Sequence, residues 1–195
     1  MRQPWLPEPG TGLSCMRLFI GIPLAPVTSD ELAAFSARLR SVSDGLRWSP
    51  PESWHITLQF LGNAGEQQYE TVVARLRALR VPPVPISLEG LSCFDRAVVL
   101  FAGVRLAPEL LSLQASVTAA TKLCGFIPEA RSYQPHITLA RSKGKEQRQS
   151  LIALQTQIRR QPRLTQFVAT EFLLYESFLG PSGSRYEIRA RFRLG

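Results

Sequence analysis

Two stretches decide how this chain is read: His55-Ile56-Thr57-Leu58-Gln59-Phe60-Leu61-Gly62 and His136-Ile137-Thr138-Leu139-Ala140-Arg141. They open on the same tetrapeptide, and between them they hold both histidines of a 195-residue protein. Each is a short apolar run of strand type. Side chains at i and i+2 of a strand share a face. His55 therefore points with Thr57 and His136 with Thr138, while Ile56, Leu58, Ile137 and Leu139 anchor in the core. With ten Thr in the chain, the chance that both histidines have Thr two residues later is about one in four hundred. A lone His beside a Thr is ordinarily a hydrogen-bonded core residue. Matching contexts, one in each half, read instead as a two-lobed site with pseudo-symmetry.

Working outward, Arg17-Leu-Phe-Ile-Gly-Ile22 is a buried strand ending at Pro23. Thr28-Ser-Asp-Glu31 has the pattern of a capping box and predicts a helix opening there, with Leu32, Phe35 and Leu39 on its apolar stripe. Glu66 to Arg80 reads as a second helix, and Val81-Pro-Pro-Val-Pro85 as a break between halves. Strands follow at Ile86–Phe94 and Ala97–Val104 around an Asp95-Arg96 turn, then a helix with Pro108 in its first turn and Gly125 as its stop. After the strand from His136 come a polar loop at Ser142–Lys145 and a helix to about Arg160. Two last strands, Phe167–Tyr175 and Arg185–Leu194, flank a turn at Gly180–Gly183. In the final strand Tyr186, Ile188, Ala190, Phe192 and Leu194 alternate with Arg185, Glu187, Arg189, Arg191 and Arg193, which predicts one packed and one basic face. Helices and strands mix without a strict βαβ rhythm, so the expected class is α+β with largely antiparallel sheets.

Composition narrows the function. The chain is 45% hydrophobic and 19% charged, which is globular, and no apolar run approaches the roughly 18–20 residues of a membrane helix. Cys15, Cys93 and Cys124 lie far apart with no CxxC pair, so neither a disulfide scaffold nor a zinc knuckle is expected, and no metal or other cofactor is expected. Residues 1–15 read as a flexible extension without the apolar run of a secretory signal. The expectation is a single two-lobed domain over 16–195, a monomer in a reducing cytoplasm. The net charge is +8 and the pI about 10.1, and twenty of the twenty-three basic residues are Arg. Guanidinium forks match phosphate oxygens, which points to polyanionic partners.

Imidazole gives and takes protons near neutrality. Two such rings on opposite sides of a phosphorus can deprotonate water and protonate a departing oxygen, each step contributing about 10²–10⁴ in rate. His55 and His136 are the candidate catalytic pair. Thr57 and Thr138 can hydrogen-bond the non-bridging oxygens of the transition state. Arg141 is a further candidate phosphate ligand, although five residues beyond His136 strand parity sends it to the opposite face unless a strand end or bulge intervenes. Phe60, Tyr133 and Trp48 are candidates for base stacking. Phe60 shares the parity of Ile56 and Leu58, which favours the core, so Tyr133, in the loop before Pro135, is the better of them.

These residues resemble the 2H phosphoesterases, a family named for two His-x-Thr-x motifs, and within it the RNA 2′,3′-cyclic phosphodiesterases formerly called 2′-5′ RNA ligases. The likeness spans Met16–Leu194. It runs from Met16-Arg-Leu-Phe-Ile-Gly-Ile-Pro23, through Arg47-Trp48, Pro51-Glu52 and the two motifs, to Leu174-Tyr-Glu-Ser177 and Tyr186-Glu187; residues 1–15 depart from the pattern. The resemblance implies a two-lobed α+β fold, helices outside and motifs on adjacent central strands of a concave basic cleft. It also implies opening of a 2′,3′-cyclic phosphate, at RNA 3′ ends or on cyclic nucleotides, to a 2′-phosphomonoester without metal. By analogy His136 activates water and His55 protonates the leaving O3′. The alternatives are 2′-5′ ligation at the same site, or an RNA-binding module without chemistry. Loss of a motif residue would mark the latter, and all four are present.

Overall fold

The computed structural model describes residues 15–41, 46–94, 99–142, 158, 164–180 and 183–195. The expected extension over 1–14, the Asp95-Arg96 turn, the 143–145 loop and the middle of the 180–183 turn lie outside these residues. So does most of the expected helix to Arg160, of which Ile158 is described, helical and buried.

Among the described residues, ten strands and three α-helices form two antiparallel four-stranded sheets and a two-stranded ribbon. In the first sheet β10 (Gly183–Arg193), β9 (Glu171–Gly180), β1 (Met16–Pro23) and β3 (His55–Ala64) lie in that order. The second runs β2 (Leu46–Trp48), β7 (His136–Ser142), β6 (Val99–Val104) and β5 (Leu88–Phe94). The ribbon pairs β4 (Val84–Ile86) with β8 (Phe167–Ala169). The motif strands β3 and β7 meet where the two sheets come together. Helices α1 (Pro26–Arg40), α2 (Glu66–Arg77) and α3 (Pro108–Lys122) carry apolar stripes, and Leu32, Val72, Leu76, Leu110, Leu113 and Val117 join Leu18, Ile20, Ile56, Leu100 and Ile137 in one core. The α+β class with antiparallel sheets is as the sequence predicted. No helix of the described residues is long and apolar enough to cross a membrane.

Several boundaries differ, each for a local reason. Helix α1 opens two residues before Thr28, with Pro26 in its first turn and no side-chain cap. The expected capping box is engaged elsewhere. The Thr28 hydroxyl donates to the Thr165 carbonyl at 3.0 Å, and Glu31 accepts from the Thr165 amide and hydroxyl at 2.7 and 2.6 Å. A tertiary tie has replaced the local one. Helix α2 stops at Arg77 and not at Arg80. The Pro-rich break contains β4, and the expected strand from Phe167 divides at Thr170 because β8 pairs with β4 while β9 joins the first sheet.

The strands themselves are not regular. In β3 the pairing with β1 passes from Ile20↔Gln59 to Gly21↔Thr57, so Leu58 is an extra residue. In β7 the pairing with β6 passes from Leu100↔Ala140 to Phe101↔Thr138, so Leu139 is extra. Each is a bulge, which bends the strand and reverses its alternation beyond that point. Leu58 and Gln59 are consequently both buried, as are Leu139 and Ala140. The bulged Leu139 carbonyl is capped by the Ser49 amide at 2.8 Å. A further bulge in β10, between Ile188 and Ala190, overturns the expected single packed face. Ala190, Phe192 and Leu194 belong to the main core, whereas Tyr186 packs with Phe19, Leu173 and Tyr175 on the other face of the sheet, and Ile188 is 46% exposed.

The polar side chain that the β3 bulge turns inward is met on one side by α3: the Thr121 hydroxyl donates to Gln59 Oε1 at 2.7 Å, both residues being buried, while Gln59 Nε2 has no partner among the described residues. Thr121→Val leaves that oxygen without a donor. It should cost about 1–3 kcal/mol in urea denaturation.

Candidate active site

His55 and His136 each begin a strand, and each is tied in the same way. The ring Nδ1 of His55 donates to the Ser53 carbonyl at 2.8 Å, and Nδ1 of His136 to the Gln134 carbonyl at 2.8 Å. A carbonyl only accepts, so Nδ1 carries the proton in both rings and Nε2 is the nitrogen free to exchange one. The anchoring carbonyl lies two residues upstream in both cases. Thr57 and Thr138 follow at i+2, and all four motif side chains are half-buried.

The lobes are joined at this point. Tyr133 donates its hydroxyl to the Thr57 carbonyl at 3.0 Å, a strut from the loop before β7 to the motif strand β3. The ring packs against the main core and burial pushes its phenol above the ordinary range. Expected as a stacking surface, Tyr133 is placed as a brace between the motif strands.

Phe60 moves the other way. By simple parity it belongs in the core; the bulge at Leu58 returns it to the face of His55, and it is 54% exposed. Its ring lies 5.8 Å from Phe19, which lies 4.6 Å from His55. The bulge at Leu139 does the same for Arg141, bringing it to the His136 face, exposed and with its charge felt at His55. Phe60 and Arg141 thus occupy equivalent positions, each five residues beyond a motif histidine. Trp48, the third stacking candidate, is half-buried against the core, with the Arg40 guanidinium 5.5 Å from its ring.

Several residues of the site escaped the sequence reading. His55 rests on Phe19, Tyr175 and Tyr186 at 4.6, 5.6 and 5.2 Å, and His136 on Phe94 and Phe101 at 5.2 and 5.4 Å. Aromatic residues in β1, β5, β6, β9 and β10 carry no spacing signal that links them to a histidine far along the chain. Gly21 is another. A Cβ there would lie 3.0 Å from the Ile56 carbonyl oxygen and 3.3 Å from His55 Cδ2, so a side chain at this position presses the motif strand and the His55 ring away by a few tenths of an ångström.

Desolvation by this aromatic packing holds His55 down at a pKa of about 4; the Ser53 bond opposes the shift, and the charges of His136 and Arg141 add to it. With that pKa His55 is neutral at pH 7. Among the described residues no three His, Cys, Asp or Glu side chains converge. The site's charge is cationic and its free groups are two imidazole Nε2 atoms, two hydroxyls and a guanidinium, a set suited to an anion with several oxygens.

The two His-Thr dyads lie on β3 and β7, the strands through which the two sheets touch. In comparison with known proteins, residues 28–177 match the 2′-5′ RNA ligase superfamily, to which this chain belongs. An RNA 2′,3′-cyclic phosphodiesterase of Archaeoglobus fulgidus is 29% identical over 175 residues, covering 88% of this chain and 97% of its own. One of Aeropyrum pernix is 33% identical over 129 residues, covering 64% and 69%. Among solved structures, E. coli LigT complexed with 3′-AMP superposes with a TM-score of 0.75 at 24% identity, covering 93% of this chain and 99% of its own. A Thermus thermophilus protein, TT0787, gives 0.70 at 26% identity, covering 92% and 98%.

Two outcomes follow from the packing. His55 has a folded pKa near 4 against 6.5 for the free side chain. The unfolded chain therefore binds its proton first, and stability falls as pH drops through that window. Between pH 7 and pH 4 the wild type should lose about 3 kcal/mol that a His55→Phe variant keeps, measured by denaturant unfolding. Gly21→Ala should displace the His55 ring and lower turnover at least about tenfold, since misplaced catalytic geometry is costly, with the His136 ring proton unmoved by NMR.

Proposed function

We propose that this protein hydrolyses RNA 2′,3′-cyclic phosphate ends to 2′-phosphomonoesters, using two histidines and no metal, as a single two-lobed domain over residues 16–195 acting as a monomer. The observation that carries the reading is the repetition of one device: a histidine anchored through Nδ1 to the carbonyl two residues before it, with a threonine on the same face, once in each sheet. The names of the relatives support the substrate, and a LigT complex with 3′-AMP supports a nucleotide in a fold of this kind.

In this mechanism His136 Nε2 takes a proton from water as its oxygen attacks phosphorus. The P–O3′ bond breaks, and His55, as imidazolium, gives its Nε2 proton to O3′. Thr57 and Thr138 donate to the non-bridging oxygens, where charge accumulates, and Arg141 balances that charge. Phe60 offers its exposed ring to the terminal base. The low pKa of His55 leaves it neutral at pH 7, so the acid role requires the substrate's own negative charge to restore its proton, opposing the repulsion from His136 and Arg141. That neutrality favours the exchanged assignment, with His55 as base, and the two are separable. A substrate with sulfur in place of O3′ leaves without a proton. It should rescue His55→Ala and leave His136→Ala impaired; the opposite pattern exchanges the roles.

Single His55→Ala and His136→Ala variants should each lose about 10²–10⁴ in kcat on a cyclic-phosphate oligonucleotide. Excess chelator should change nothing, and the kcat profile should be bell-shaped in pH because one ring must be neutral while the other is protonated. A 3′-phosphate product, or full activity in either variant, refutes the reading. An RNA 5′-hydroxyl can replace water and give a 2′-5′ linkage, the reaction for which the superfamily is named; a ligated product on adding such an acceptor reports it.

A further inference from the structure

A hollow of about 330 Å³ is lined by Glu52, Trp54, Tyr175, Tyr186, Ile188 and Arg191, and the same two tyrosine rings pack on His55. Arg191 also borders a second hollow of about 260 Å³, between the end of β10 and the C-terminal end of α2. This one is bordered by Arg77, Arg80 and Arg193 as well, and no Asp or Glu side chain lines it. Arg191 is engaged with Glu171 at 2.8 Å, and Arg80 with the carbonyls of Arg77 and Leu79 at 3.0 and 2.9 Å. Arg77 and Arg193 are exposed and make no ion pair among the described residues. Arg77 and Arg193, two guanidinium groups without a carboxylate partner that line the same hollow, repel one another, and a strand of phosphates removes that cost.

We propose that the tyrosine-walled hollow and the arginine cluster beyond it form a track for the RNA strand upstream of the cyclic phosphate. The enzyme then recognises an oligonucleotide and not a nucleotide alone. The inference rests on the function proposed above and extends it to the class of substrate. Tyr186 packs against His55 at 5.2 Å, and Arg193 lies seven residues farther along β10, roughly 20 Å at strand rise. A mononucleotide seated between the histidines cannot span that distance. A chain of several nucleotides can, its bases meeting Tyr186 and Ile188 and its phosphates the arginines.

The test compares 2′,3′-cyclic AMP with an octanucleotide carrying a 2′,3′-cyclic end, in wild type and in an Arg77→Gln/Arg193→Gln variant, neither residue touching the motifs. For the octanucleotide, KM should rise about tenfold with kcat held, and the slope of log KM against log salt should fall by about 1.4, two phosphate contacts at about 0.7 each. The constants for cyclic AMP should not change. An unaltered octanucleotide KM, or equal changes for both substrates, overturns the proposal. Binding of a fluorescent octanucleotide with a 2′-phosphate end, read by anisotropy, should weaken tenfold in the same variant. If the wild type hydrolyses neither substrate the functional reading fails, and this binding measurement still decides the track by itself.

Discussion

A strand alternates its faces, so residues five apart belong to opposite sides of a sheet. The site of this protein depends on cancelling that rule twice, at the same place in two strands. One additional residue after each His-Ile-Thr, Leu58 in β3 and Leu139 in β7, keeps the leucine in the core and reverses the faces of the residues next after it, as far as Phe60 and Arg141. The result is that histidine, threonine and the residue two places past the leucine all face the cleft. In one lobe that residue is an exposed aromatic ring, in the other a guanidinium. The pseudo-symmetry is therefore one of backbone geometry, with the chemistry of the final position differentiated. Under the proposed function, the ring meets the base and the cation the phosphate of an asymmetric ligand.

The histidines differ in their surroundings as well. Both are oriented by a neutral carbonyl, which selects the tautomer without supplying the negative charge that a carboxylate would. Nothing then offsets desolvation in full, and His55, packed on three aromatic rings, gives up its proton readily. The folded protein stores an electrostatic deficit that an incoming anion relieves. Under the proposed function with His55 as the acid, an anion that restores this proton also readies the ring for chemistry.

The sequence disclosed much of this where pattern and geometry coincide. Strand β1, the length of α3 with its Gly125 stop at φ 87°, and the pairing of His with Thr at i+2 all follow from local rules. It disclosed least where a long-range partner redirected a local signal. Thr28 and Glu31 spell a capping box, yet Thr165, far along the chain, recruits both. Parity alone sends Phe60 to the core and Arg141 away from His136, and both are reversed because no residue type announces a bulge at leucine. Tyr133 lies beside Pro135 in an exposed-looking loop, and only the folded chain shows its hydroxyl reaching back to Thr57. The histidine cradles draw on five strands and have no linear trace.

The anchoring of both rings to main-chain oxygen has a final implication for inheritance. Because the acceptors at Ser53 and Gln134 are peptide carbonyls, their side chains are free to drift among descendants without loosening either imidazole. Only replacements that rotate the peptide unit itself, such as an ill-fitting proline just downstream, are penalised. A lineage can thus rewrite most letters around the two tetrapeptides and still deliver the same pair of nitrogens to the same place.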